Sequence, residues 1–178
     1  MKVAYQGIKG AYSETAATEY VRADEYVGYE TVEEVLKALD EGNVDYAFLP
    51  VNNSTVGEVK SVKKGLENFC FQKAGEYAFR VRHQLWGVQG SKLSDVKCAY
   101  SHEQALRQSA VFLERNDICP IEYVDTALAC KYVAELNDKT VSAVASIMAG
   151  EIYNLKLLAQ NIETNNDNTT MFWLIKKP

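Results

Sequence analysis

The chain has 178 residues, 47% hydrophobic and 24% charged, with a formal net charge of −5. That length allows one domain or two small lobes, and the composition is that of an ordinary soluble globular protein. The acidic balance and the lack of any Lys/Arg cluster argue against a nucleic-acid partner, and no apolar run approaches the ~20 residues of a membrane span. Cys70, Cys98, Cys119 and Cys130 never form a C-x-x-C pair, and only His83 and His102 could join them. No metal site is expected from that set, and the thiols read as reduced and mostly packed. No secretory signal follows Met1, so a cytoplasmic location is expected.

Lys2–Gln6 reads as a strand and Gly7–Gly10 as the turn after it. Ser13 is expected to cap a helix through Tyr20, with Ala16, Ala17, Tyr20 and Val21 on one face. A glycine turn feeding a helix N-terminus offers N–H groups to an anion such as a carboxylate. Gly7 and Gly10 are separated by two residues and no G-x-G-x-x-G is present, so a dinucleotide site is not supported.

Thr31-Val32-Glu33-Glu34 is a capping box opening a helix with Val32, Val35, Leu36 and Leu39 on its inner face and Gly42 at its end. Val44–Leu49 follows as an apolar strand that Pro50 is expected to stop. The β-α-β-α-β rhythm predicts a parallel or mixed sheet. The polar segment Val51–Val59 then falls at a strand's carboxyl end, where open α/β sheets bind ligands.

Residues 61–76 begin with helical spacing and lose it. Tyr77–Val88 alternates and is expected as one strand, with Arg80, Arg82 and Gln84 on a solvated face. Lys97–Tyr100 is a short strand, and Ser101 is expected to cap a helix through Ala105, Leu106, Ala110 and Leu113, with Gln104 at the capping-box position. His102 and Gln104 fall in its first turn. Ile121–Val124 is a strand, Asp125 or Thr126 caps the next helix, Thr140–Ala145 is a strand, and Ser146 opens a helix ending near Asn154. Such a second α/β unit suggests two lobes around a cleft, a preferred small-molecule site.

Near the C-terminus, Asn165–Thr170 interrupts the pattern before the apolar run Met171–Ile175. Asn, Asp and Thr favour turns, whereas the following run has strand length and composition. Thr169 and Thr170 therefore sit where a loop enters a strand, a position from which hydroxyls can be held toward a ligand.

Six segments, in order, resemble signatures of the prephenate dehydratase family. They are Gly7–Ser13, Pro50–Gly57, Ser101–Leu106, Asp125–Ala127, Ala143–Ala149 with Tyr153–Leu155, and Asn168–Phe172. The resemblance implies an α/β fold of two lobes with mixed sheets around a central cleft, similar to a type II periplasmic-binding-protein fold. The lobes would be residues 1–76 plus 157–178 and residues 77–156, without the family's ACT-type regulatory domain or a fused chorismate mutase. It also implies a homodimer with prephenate or a close analogue as substrate, and no metal or organic cofactor.

The activity implied is decarboxylative dehydration of prephenate to phenylpyruvate, a hydro-lyase step of phenylalanine biosynthesis. By the resemblance, Thr170 would act on the leaving hydroxyl, and Ser13, Asn53, Ser54, Ser101, Gln104, Thr126, Thr169 and Phe172 would bind substrate. Three positions depart from the signatures: Asn52 replaces an acid, Met171 an arginine and Ala11 a threonine. An arginine could pair with a substrate carboxylate through a bidentate fork, so Met171 is expected to leave the pocket short of one cation. The alternatives are a prephenate decarboxylase or arogenate dehydratase of the same fold, or a non-catalytic carboxylate-binding protein.

Overall fold

A computed structural model describes residues 1–178. In chain order the elements are β1 (Lys2–Gln6), α1 (Tyr12–Tyr20), β2 (Glu25–Tyr29), α2 (Val32–Asp40), β3 (Tyr46–Asn53), β4 (Gly57–Glu58), α3 (Lys60–Leu66) and β5 (Gln72–Arg80). There follow β6 (Gln84–Gly87), β7 (Cys98–Ser101), α4 (Glu103–Gln108), α5 (Ala110–Arg115), β8 (Cys119–Glu122), α6 (Thr126–Leu136), β9 (Val141–Ala145), α7 (Ile147–Ile152), β10 (Lys156–Ala159) and β11 (Thr169–Lys176). The fold is mixed α/β with two mixed sheets. No helix is long and apolar enough to cross a membrane.

Two compact units divide the chain, Met1–Val81 with Asp167–Pro178, and Arg82–Asn166. The expected boundaries therefore shift. A break at 76/77 would cut β5, which pairs with β11 from Gln72 to Arg80. A break at 156/157 would cut β10, which pairs with β6.

In the first unit the strand order is β2-β1-β3-β11-β5, with β4 beside β3. β2, β1 and β3 are parallel, and β11 runs antiparallel between β3 and β5. The capping box forms as expected: Thr31 Oγ accepts from Glu34 N, and Glu34 Oε2 accepts from Thr31 N at 3.0 Å. Val32, Val35, Leu36 and Leu39 are buried, and Gly42 turns the chain out of α2 with φ of 77°. They pack with Ala4, Ala47, Leu49 and Ile175 on one face of the sheet. Val3, Phe48, Phe172 and Leu174 meet Ala16 and Ala17 of α1 on the other. β2 has no fully buried residue, so its sequence lacks the alternation that marks a half-buried strand.

Two expectations in this unit are corrected. Ser13 does not cap α1: the helix begins a residue earlier, Ala11 is the N-cap, and it makes no side-chain bond. Pro50 does not stop β3, which continues to Asn53. β1 pairs with β3 only as far as Phe48, so at Pro50 the strand has lost its neighbour on that side. On the other side the register with β11 shifts at this point, Asn52 facing Met171 and Pro50 facing Phe172, with Val51 as the extra residue. A bulge tolerates a residue without an N–H.

The second unit has the strand order β10-β6-β9-β7-β8. β7 is parallel to β8 and β9, and β6 is antiparallel to β9 and β10. The single strand expected over 77–88 is two strands in separate sheets, broken at Val81–His83. Gln84 is buried rather than solvated, and its Oε1 accepts from Asn161 N at 3.0 Å. The single helix expected after residue 101 is divided into α4 and α5 at Ser109. α7 lies tightly on β6, since a Cβ added at Gly150 would come within 2.1 Å of the Trp86 ring. The cysteines are free as expected but less packed than expected, since Cys70 and Cys119 are exposed and only Cys130 is fully buried.

His83 occupies the start of this unit with 2% of its surface exposed. Its Nε2 lies 2.7 Å from Gln108 Oε1, its N–H donates to Glu163 Oε2 at 2.9 Å, and its carbonyl accepts from Ile162 N at 2.9 Å. Burial holds the imidazole pKa below its usual 6.5, against the opposing effects of the Gln108 hydrogen bond and the Glu163 charge. The unfolded chain therefore binds the proton first as pH falls. Stability is retained above pH 6.5 and is lost as pH falls from there through the folded-state value. Thermal melts from about pH 7 to about pH 5 should show a steeper fall in Tm for the parent than for His83→Gln; parallel slopes would remove His83 from this role.

Candidate active site

The loop entering β11 is held by one side chain. Asn53 Oδ1 accepts from Thr55 N at 2.9 Å and Val56 N at 3.1 Å. Backbone N–H groups can only donate, which fixes the amide orientation. Nδ2 must then face the other way, and it donates to Asn168 Oδ1 at 2.9 Å and Thr170 Oγ1 at 2.8 Å. The amide makes all four of its hydrogen bonds. Asn53, Asn168 and Thr170 are all buried, and Asn53 and Thr170 face each other across β3 and β11.

This geometry acts on the Thr170 hydroxyl. Because Oγ1 accepts from Asn53, its own O–H is directed away from that amide, and the incoming N–H makes it a better donor. Ser54 anchors the same loop: its Oγ donates to Asp167 O at 2.7 Å and accepts from Thr169 N at 2.9 Å, and its N–H donates to Thr169 O at 2.9 Å. Asn53, Ser54, Thr169 and Thr170 are thus brought together. Asn168 completes the group; the sequence placed it in the Asn-Thr-Thr signature, but no binding or catalytic role was expected of it.

Other expected residues of this unit behave differently. Ser13 lies half-buried in the first turn of α1. The Gly10 N–H at that helix start donates to the buried carboxylate of Glu14 at 2.6 Å. Tyr5 lies near the same carboxylate, and burial followed by the Glu14 charge pushes its phenol well above the ordinary range. The chain's own carboxylate therefore takes the Gly10 N–H that was expected to meet an external anion. Phe172 packs in the core: it is 2% exposed and stacks on Phe48 at 4.8 Å. Along β11 the buried face carries Thr170, Phe172 and Leu174, whereas Met171 lies on the opposite face. Met171 is paired across the sheet with Asn52, and Asn52 in turn with Glu58 of β4. Two of the three signature departures are thus strand neighbours.

In the second unit three helix N-termini follow the carboxyl ends of strands. Ser101 is the last residue of β7, not a cap; it is fully buried and its Oγ donates to Val144 O at 2.6 Å. His102 is the N-cap of α4, its Nδ1 accepting from Gln104 N at 3.2 Å, which leaves the half-buried Gln104 side chain outside any capping box. Of the two candidates for α6, Asp125 is the cap, accepting from Ala127 N at 2.8 Å and Leu128 N at 2.9 Å, and Thr126 follows in the first turn. Ser146 caps α7 through Ala149 N at 3.0 Å. The carboxyl edge of β7, β8 and β9 thus carries Ser101, Gln104 and Thr126 together.

No group of three His, Cys, Asp or Glu is placed to hold a metal ion. A cavity of about 570 Å³ beside α2 and α3, lined by Gln6, Thr31, Lys64 and Asn68 among others, includes none of the expected site residues.

A family model described as prephenate dehydratase matches residues 3–178. Arogenate dehydratase 2 of Petunia hybrida is 37% identical over 177 residues, covering 99% of this chain and 45% of the plant protein. Among solved structures, a quorum-quenching acylase named GqqA superposes with a TM-score of 0.93 at 30% identity, over 100% of this chain and 64% of that one. The prephenate dehydratase of Arthrobacter aurescens in complex with L-Phe gives a TM-score of 0.90 at 21% identity, over 100% of this chain and 60% of that one, a likeness of fold. This chain therefore spans under two thirds of each of these proteins.

Proposed function

This chain belongs to the prephenate dehydratase family, and from that premise we propose that it converts prephenate and a proton to phenylpyruvate, CO2 and water. The electron pair of the bond to the ring carboxylate moves into the ring as CO2 departs, and the 4-hydroxyl leaves as water. Aromatisation drives the step, so the protein need only orient the dianion and assist the departing oxygen. The observation that carries this reading is the Asn53 amide donating to Thr170 Oγ1. It makes Thr170 an oriented donor for the leaving hydroxyl, through polarisation or a relay, since an alcohol is a poor acid. Thr169 is a second hydroxyl at the same strand entry. Ser101, Gln104 and Thr126 are the proposed orienting groups of the second unit.

Arogenate, with an amino group in place of the keto oxygen, is the second reading, favoured by the name of the plant relative. The acylase activity for which GqqA is named is a property of that protein. A cytoplasmic setting fits the four free thiols, and a homodimer is the assembly we propose. Light scattering at micromolar concentration should return twice the 19.9 kDa chain mass; a particle near 19.9 kDa would refute the dimer.

The pure protein should convert prephenate to a product with the absorbance and mass of phenylpyruvate. If arogenate is turned over instead, the second reading replaces the first. Thr170→Val should lower turnover by ~10²-fold or more, as for loss of acid assistance, while Thr170→Ser retains most of it. Turnover of the valine variant within a few-fold of the parent would end the role assigned to the hydroxyl.

The register of β11 gives a further expectation. Because residue 171 faces residue 52 and not Thr170, Met171→Arg alone should leave kcat/KM within a few-fold of the parent. Joined to Asn52→Glu it should add ~0.2–1 kcal/mol of stability beyond the sum of the single changes, as a cross-strand ion pair. Denaturant unfolding of the four proteins measures this coupling. A ~10-fold rise in kcat/KM from Met171→Arg alone would instead put the new cation on the substrate.

A further inference from the structure

β8 is the edge strand of the second sheet, and its first residue, Cys119, directly opposes the first residue of β7, Cys98. Opposed residues of neighbouring strands project to the same face, with strands spaced ~4.8 Å, inside the Cα separation of ~4.4–6.8 Å that disulfides adopt. The Cys119 thiol is close enough to help raise the Cys98 pKa, and its Sγ donates to Pro120 O at 3.8 Å. Cys119 is exposed and Cys98 half-buried. An exposed sulfur beside a shielded one is the arrangement of an entry thiol with a resolving partner.

We propose that Cys98 and Cys119 are a redox modification site that closes to an intramolecular disulfide on reaction with a small disulfide such as oxidised glutathione. The Cys119 thiolate attacks one sulfur of oxidised glutathione, forming a mixed disulfide and releasing one glutathione thiolate. The Cys98 thiolate then attacks the Cys119 sulfur and expels the second. Two cysteine thiols are oxidised, one glutathione disulfide is reduced to two thiols, and the two protons pass to the departing thiolates. Burial raises the Cys98 thiol pKa, so closure, which needs its thiolate, should quicken as pH rises. The bond ties the edge strand to β7 and closes the segment that carries α4, α5, His102 and Gln104.

The test uses Cys70→Ser, which removes the other exposed thiol and with it intermolecular pairing through Cys70. Under native conditions with excess oxidised glutathione, this protein should lose two titratable thiols and the mass of two hydrogen atoms. Peptide mapping without reductant should recover Cys98 linked to Cys119, and dithiothreitol should reverse the change. The oxidised form should melt at a higher temperature, as a cross-linked loop does. Adding Cys98→Ser should trap glutathione on Cys119, whereas adding Cys119→Ser should leave the protein unmodified at Cys98. Retention of both thiols, or glutathione remaining on Cys119 while Cys98 is present, would overturn the proposal.

Discussion

The Asn53 amide is the constraint on which the arrangement of β3, β11, their adjoining loops and Thr170 rests. Its four hydrogen bonds join the turn after β3, the loop before β11 and the Thr170 hydroxyl. For Asn53 to reach that position, β3 must run on past β1, where only β11 and β4 remain to pair with it. The bulge at Val51 makes this possible despite Pro50, and β11 must return from the far end of the chain to supply Asn168 and Thr170. A buried amide with an unmet bond costs ~1–3 kcal/mol, so the network specifies one arrangement of the two strands. Stability and the orientation of the Thr170 proton have the same origin.

The second unit solves a different problem with simpler parts. Its parallel strands β7, β8 and β9 each end where a helix starts, and His102, Asp125 and Ser146 occupy the first N–H groups of those helices. Caps satisfy donors that would otherwise be orphaned. The residues beside the caps, Gln104 and Thr126, are then set at the sheet's carboxyl edge without being consumed by capping. In open α/β sheets that edge is the ligand edge. The contrast with α1 is informative, because there Glu14 reaches back to Gly10 and occupies the N-terminus from within.

What could be read from the sequence follows the range of the forces involved. Thr31-Val32-Glu33-Glu34 carries its whole cap within four residues, and the structure forms it as read. Ser101 looks equally like a cap, yet its hydroxyl finds Val144 O on a neighbouring strand, and an imidazole one residue later does the capping. Gln84 alternates with Arg80 and Arg82 as a solvated residue would, but its partner Asn161 lies far along the chain. Pro50 ends a strand by local rule and is carried through by a bulge set by its partner. For the site, position and signature brought out Thr170, Asn53 and Ser54, whereas Phe172 shares a signature with Thr170 because it shares its strand face. Alternation places both inward, and only the strand's end leaves one of them beside the loop.

That alternation also explains how the chain departs from its family at two positions while keeping the Asn53–Thr170 network. Residues 52 and 171 face each other on the side of the strands away from Thr170. An acid and an arginine there would form a cross-strand pair worth ~0.2–1 kcal/mol. Losing the arginine alone would leave the acid at exposed position 52 without its partner and with Glu58 adjacent on β4. Losing both, as Asn52 and Met171 do, removes only the modest energy of the pair. The other face has no such latitude, since replacing Asn53 or Thr170 opens a saturated buried network. The two faces of one strand therefore tolerate change differently, and a departure from signature beside Thr170 leaves the Asn53–Thr170 network as it is.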